Sequence, residues 1–183
     1  MIEHATDDDI ATMTAQLGRP VRDVVGVSAR CGCGAPAVVA TRPRLANGTP
    51  FPTFHYLTHP DATVAASRLE ASGVMGELQD RLDDPEVAAA YLRAHEAYLA
   101  ERAEHGEVPE IDGISAGGMP TRVKCLHALV AHSLAAGPGV NPIGDAALAL
   151  GDWQPETCTC SRPAADGEAE GPATTSRGAV EQE

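Results

Sequence analysis

Two Cys-x-Cys pairs and one histidine have the side chains that bind a metal ion. Cys31 and Cys33 lie on either side of a glycine in the segment CGCGAP, and Cys158 and Cys160 lie towards the C-terminal end of the chain. Zinc in proteins is usually held by four sulfur or nitrogen atoms, and a glycine-containing turn lets two thiolates converge on it. Together with His59, which follows a predicted strand, these cysteines predict a small zinc site.

The block SAGGMPTRVKCLHALVAH, residues 115–132, has a further thiol and a further imidazole in Cys125 and His127. Either residue is a candidate for the remaining zinc ligand. Side chains two positions apart on a helix point about 200° away from each other, so both can bind one ion only where the helix is unwound. The sequence leaves the choice between Cys125 and His127 open.

The glycines in this block favour a different ligand, a phosphate or a carboxylate. Gly117 and Gly118 precede Pro120, which we predict to begin a helix, and the free N–H groups of a helix start attract anions. Arg122 and the only lysine of the chain, Lys124, add positive charge in an otherwise acidic protein. An anion-binding enzyme is therefore an alternative to the zinc site, although the spacing matches neither a P-loop nor a GxGxxG loop.

Cys125 is also a candidate catalytic nucleophile in this setting. A lysine and a helix N-terminus lower the pKa of a neighbouring thiol, and Lys124 and His127 both lie close to Cys125 in the sequence. The simplest alternative needs no ligand, because Cys125 is then a small core residue and the charged side chains lie on a solvated surface. In that case the protein is an adaptor without a small-molecule site.

Composition limits the classes of function. The chain has 183 residues, with 43% hydrophobic but only 3% aromatic side chains, which suffices for one domain with a core of small aliphatic residues. Its net charge of −13 disfavours binding to nucleic acid or to an anionic membrane surface. No apolar run is long enough to span a bilayer, and the N-terminus has no signal-peptide pattern. Five cysteines then indicate reduced thiols or a metal, and we expect a cytoplasmic protein.

The order of elements predicts an α+β fold, with a small antiparallel sheet of about three strands near the N-terminus covered by several helices. Runs of β-branched residues predict three strands between residues 21 and 58, with CGCGAP as the turn of a hairpin. Capping residues and helical periodicity mark the helix starts. Helices are predicted to begin near Thr6, Asp61, Asp84, Pro120 and Asp145.

Residues 1–153 are predicted to form a single compact domain. From residue 154 the composition changes to proline, alanine, glycine, threonine and glutamate, with little that can be buried. Residues 154–183 are therefore predicted to be an acidic, disordered tail.

Several stretches between about Asp7 and Ala149 carry a family resemblance: QLGRP, PFPTFHYLTHP, SRLEASGVM, AHEAYLAER and SAGGMPTRVKCLHALVAHSLAAGPGVNPIGDAAL. They resemble the actinobacterial domain-of-unknown-function family 501, and the GGMP-x-RVKCLH block is the most specific part. The resemblance implies a small cytoplasmic protein and assigns no reaction and no catalytic residue. Genes of this family often lie near those for enolase and for a septum-formation coiled-coil protein, an association with glycolysis and cell division that leaves the protein partner unknown.

Overall fold

A three-stranded antiparallel sheet, with its strands in the order β1–β2–β3, lies in the N-terminal part of the chain. The structure is a computed structural model, and it describes residues 1–158 and 160. Strand β1 (Val24–Arg30) forms a hairpin with β2 (Pro36–Thr41), and β3 (His55–Leu57) pairs with the other edge of β2. The predicted hairpin and the predicted third strand are confirmed.

The helices of the described residues are α1 (Asp7–Leu17), α2 (Pro60–Ala71), α3 (Val74–Asp80), α4 (Pro85–Ala103), α5 (Leu126–Ala136) and α6 (Pro142–Leu150). Their starts follow local signals. Thr6 and Asp9 form the predicted capping box of α1, in which each side chain accepts the backbone N–H of the other residue. Asp84 caps α4 in front of Pro85, and Asn141 caps α6. None of these helices is long and apolar enough to cross a membrane.

The sheet is covered on both faces. Val39 of β2 packs with Met13 of α1 in a small apolar cluster. Its neighbour Val38 points to the opposite face and belongs to the main core, which contains the fully buried Leu129 of α5. Helix α6 can lie close against α5 because residue 144 is glycine. A Cβ atom at Gly144 would come within 2.3 Å of the Leu129 carbonyl oxygen. The α+β fold predicted from the sequence is thus confirmed.

The helix predicted to begin at Pro120 begins only at Leu126. That prediction is wrong because the preceding backbone closes into a loop, in which the N–H groups of Lys124 and Cys125 donate to the Gly117 carbonyl at 2.8 and 3.3 Å. Gly117 has a φ of 75°, a left-handed conformation that favours glycine. Cys125, at the end of the loop, is extended with a φ of −148°.

The predicted tail falls mostly on residues 161–183, which lie outside the described part of the chain. Residues 154–158, which that prediction included, are described and lie against the β1–β2 hairpin. The Gly32 N–H donates to the Pro155 carbonyl at 2.6 Å. Contacts with the domain therefore continue beyond residue 153.

Candidate metal centre

The turn between β1 and β2 brings two thiols together. The Gly34 N–H donates to the Cys31 carbonyl at 2.8 Å, and the Cys31 N–H donates to the Ala35 carbonyl at 3.0 Å. Gly34 has a φ of 84°, which side-chain-bearing residues rarely adopt, so this tight turn depends on glycine. The Sγ atoms of Cys31 and Cys33 lie 2.8 Å apart. The hairpin thus presents both thiols at one place.

Gly32, between the two cysteines, lets the C-terminal segment approach the turn. A Cβ atom at this position would lie 2.8 Å from the Glu156 carbonyl oxygen, closer than real Cβ atoms come to their neighbours, and 3.0 Å from that of Pro155. The close passage of this segment carries Cys158 and Cys160 to the hairpin. The Sγ of Cys160 lies 3.5 Å from the Sγ of Cys31.

His59 completes the cluster from a third part of the chain. It is the residue immediately before α2, where its side chain caps the helix by accepting the Ala62 N–H. The imidazole is fully buried and packs against the Trp153 indole, with 5.0 Å between the ring centroids. Its Nε2 lies 3.1 Å from the Cys160 Sγ and 3.4 Å from the Cys158 Sγ.

Four ligand atoms lie within 4.8 Å of one another, those of Cys31, His59, Cys158 and Cys160. A fifth, the Sγ of Cys33, lies 2.8 Å from the Cys160 Sγ. A zinc ion with Zn–S distances of about 2.3 Å separates two tetrahedral sulfur ligands by about 3.8 Å. The 3.5 Å between the Sγ atoms of Cys31 and Cys160 is close to this separation, whereas the 2.8 Å between Cys33 and Cys160 is too short for two ligands of one ion. The group of four therefore has the ligand types and the dimensions to hold a metal ion.

Burial makes the ionisation of these groups interdependent. It raises the pKa of the Cys31 thiol and, with hydrogen bonds to three neighbouring thiols, raises the pKa of Cys160 well above its usual range. For Cys33 the hydrogen bonds with Cys160 and Cys31 outweigh burial, and the pKa of its thiol is lowered. Burial lowers the pKa of His59, which favours the neutral imidazole that binds metal. A bound divalent cation offsets the charge of several crowded thiolates.

Cys125 and His127, the candidates for a remaining zinc ligand, lie in a separate cluster with Glu70. Because Cys125 precedes the helix, both side chains do face one point, which a regular helix would forbid. Glu70 is in the last turn of α2, whereas His59 precedes its first residue, and eleven residues of helix span about 16 Å. The cysteines and histidines that the sequence assigned to one zinc site are therefore divided between two clusters.

The four residues predicted to bind an anion do not surround a helix start. Arg122 and Lys124 are exposed. Gly117 and Gly118 fit against the chain itself, since a Cβ atom on Gly118 would lie 2.6 Å from the Arg122 carbonyl oxygen. The first N–H of α5, that of Leu126, donates to the Glu70 carboxylate at 2.7 Å. The anion site stays a prediction, without the free helix N-terminus that favoured it.

Two groups of residues in the structure were not singled out from the sequence. Glu70 joins Cys125 and His127 only through tertiary packing. The fully buried His55 lies 3.0 Å from the Glu101 carboxylate, and its ring stacks on that of His132 with 5.8 Å between the centroids. The partners are dozens of residues apart in the sequence, so no spacing pattern indicates either group.

The model of one protein family matches residues 27–149, and that family is described as a protein of unknown function, DUF501. No curated protein and no solved structure matches the chain. The matched range contains Cys31, Cys33 and His59 but ends before Cys158 and Cys160. The cluster thus joins residues inside the family region to residues beyond it.

Proposed function

Since the chain belongs to the DUF501 family of proteins of unknown function, we propose its role from its own residues: it is a zinc-binding protein. The ligands are Cys31, His59, Cys158 and Cys160, with Cys33 as a neighbouring fourth thiol. The ion ties the C-terminal segment to the β1–β2 hairpin and to the start of α2.

One observation carries this proposal. Thiols from two distant Cys-x-Cys pairs and a buried imidazole converge so that four of their ligand atoms lie within 4.8 Å of one another. Burying several thiols and an imidazole together is unfavourable unless their polar atoms are paired. A metal ion binds thiolates and a neutral imidazole at the same time and so pairs all of them. The convergence of these side chains from three separate parts of the chain supports a metal-binding site.

The donor atoms favour zinc over harder cations. Magnesium and calcium select oxygen ligands, whereas thiolate and imidazole suit zinc. Four protein ligands leave no open coordination position, which is typical of a structural zinc site and not of a catalytic one. An iron–sulfur cluster uses the same thiols and is distinguished by its iron content and absorption.

Cys33 gives the site an alternative ligand. Its Sγ lies 2.8 Å from both the Cys31 Sγ and the Cys160 Sγ. If Cys31 is replaced, Cys33 can take its place as the ligand from the hairpin turn. Cys160 contacts both hairpin thiols and His59, more members of the cluster than any other thiol of the described residues, so its loss is expected to affect the site most.

We therefore expect Cys160→Ser to lower the affinity for zinc by at least about 100-fold. Losing a residue that only hydrogen-bonds to a metal ligand costs up to about 100-fold, and losing a ligand itself is expected to cost more. Serine keeps the size of the side chain and removes the thiolate. Competition with a chromophoric zinc chelator, performed on reduced full-length protein, measures this affinity.

Cys125→Ser is the matched control, because it also removes one thiol, but from the cluster with Glu70. We expect it to keep the wild-type affinity at the main site. Equal losses in Cys160→Ser and Cys125→Ser, or an unchanged affinity in Cys160→Ser, would contradict the ligand assignment.

A further inference from the structure

A cleft of about 650 Å³ lies between the end of α1, strand β3, helix α2 and the start of α5. Its walls are mostly apolar and include Leu17, Leu57 and Val64. Cys125 and His127 line the same cleft. A concave, mainly apolar space with a few polar groups is typical of a small-molecule site.

Two polar atoms at this cleft are buried and have no hydrogen-bond partner among the described residues. They are the Thr58 Oγ1 and the Gln16 Oε1, and both residues line the cleft. Thr58 is only 1% exposed. Buried polar atoms in folded proteins are nearly always paired. A ligand with an N–H or O–H group would supply the missing partner, which is an indication of binding independent of the cysteine.

The thiol at the cleft is held by backbone and carboxylate contacts. The Cys125 N–H donates to the Gly117 carbonyl, and the Leu126 N–H donates to the Glu70 Oε1 at 2.7 Å. The same Glu70 oxygen lies 3.1 Å from the His127 Nδ1, and the thiol lies within 4.8 Å of both groups. The hydroxyl of Ser67 lies 3.1 Å from the other ring nitrogen of His127. The imidazole is therefore fixed on both sides.

The electrostatics of this cluster favour a reactive thiolate. Its hydrogen bond with His127 lowers the pKa of the Cys125 thiol, although burial opposes this. The Cys125 thiol and the Glu70 carboxylate raise the pKa of His127 to about 9. Both shifts favour a thiolate beside an imidazolium, the arrangement that activates cysteine nucleophiles.

We propose that Cys125 accepts an acyl group from an ester or thioester bound in this cleft, with His127 as its acid partner and Glu70 as the residue that positions His127. The Cys125 sulfur forms a bond to the carbonyl carbon, and the bond from that carbon to the leaving oxygen or sulfur breaks. His127 donates its Nε2 proton, which faces the Ser67 hydroxyl in the free protein, to the leaving atom, which yields a thioester, the free alcohol or thiol, and a neutral imidazole.

The cleft also defines the class of acyl donor. Leu17, Leu57 and Val64 favour an apolar acyl group. The Gln16 Oε1 requires a hydrogen-bond donor, such as the N–H of an amide. An N-acylated apolar amino-acid ester has all of these features.

The test uses the full-length, zinc-loaded protein and N-acetyl-leucine 4-nitrophenyl ester. We expect a saturable burst of one nitrophenolate per chain, at least about 100-fold faster at pH 7 than the reaction of the ester with N-acetylcysteine, because the cleft holds the ester beside a thiol whose ionisation His127 favours. Peptide mass spectrometry is expected to find the acyl group on Cys125, and Cys125→Ser is expected to abolish the burst. A matched hexanoate ester, which lacks the N–H, is expected to saturate at a higher concentration.

Glu70→Gln tests the positioning role, because glutamine keeps an oxygen for the Leu126 N–H but loses the charge. With the carboxylate gone the pKa of His127 falls. For N-acetyl-leucine ethyl ester, whose ethoxide must be protonated as it leaves, the high-pH decline of the acylation rate, followed by mass spectrometry, is expected to move from near pH 9 to lower pH. An equal loss of rate at every pH would indicate a purely structural role and overturn this assignment.

Three results would overturn the proposal as a whole. The first is acylation of the protein at the same rate as N-acetylcysteine, with no saturation as the ester concentration rises. The second is acylation spread over the other four cysteines. The third is a zinc ion held by Cys125, His127 and Glu70, since the thiolate would then be a metal ligand. None of these results depends on zinc at the main site, so this proposal fails separately from the proposed function.

Discussion

Removing zinc is expected to lower the melting temperature of the protein by about 8–16 °C. At a free zinc concentration about 1,000 times the dissociation constant, binding to the native state alone adds about 4 kcal/mol to the free energy of unfolding. For a protein of this size each kcal/mol corresponds to about 2–4 °C. The structural reason is that Cys31, His59 and Cys160 come from three separate parts of the chain, which unfolding separates. Calorimetry with and without a chelator, on reduced protein, measures the change.

Cys160→Ser provides the control for this measurement. It lacks the thiol that contacts both His59 and the hairpin, so we expect a low melting temperature that the chelator leaves unchanged. If chelator lowers the melting temperature of wild type and Cys160→Ser equally, the ion that it removes is not held by this cluster.

Replacing Gly117 with alanine is expected to reduce the free energy of unfolding by about 2–5 kcal/mol, the sum of backbone strain and overpacking. Gly117 has a φ of 75°, and a Cβ atom there would lie 2.5 Å from the Cδ2 of Leu129. Leu129 is fully buried and has little room to move. Urea denaturation of wild type and Gly117→Ala at neutral pH measures the loss.

Gly113→Ala separates the two contributions. Gly113 has a similar φ of 65°, but no atom lies within 4 Å of the position of its Cβ. We expect Gly113→Ala to lose only the cost of the left-handed backbone, about 1–2 kcal/mol. Equal losses in both variants would mean that the contact between Gly117 and Leu129 does not constrain the loop that carries Cys125.

The features that could be predicted from the sequence are those set by neighbouring residues. The capping box of Thr6 and Asp9 and the β-branched runs of the hairpin depend on a few adjacent side chains, and both are confirmed. The two Cys-x-Cys pairs and His59 could be named as candidate metal ligands from residue type alone. Their convergence on one point required the fold.

The features that could not be predicted depend on contacts between distant parts of the chain. The start of α5 was placed at Pro120, because local signals do not reveal that the Gly117 carbonyl holds the backbone of Cys125. The pairing of Glu70 with His127 and the passage of Pro155 over Gly32 are likewise tertiary contacts. For this reason the candidate cysteines and histidines could be named from the sequence, but Glu70 and the division into two clusters could not.

Elemental analysis of the full-length protein, purified without a histidine tag and under reducing conditions, tests the central claim most directly. Four ligand atoms within 4.8 Å of one another are expected to retain about one zinc ion per chain. Protein that is folded, has reduced cysteines and still contains no zinc or other metal after incubation with zinc would contradict it.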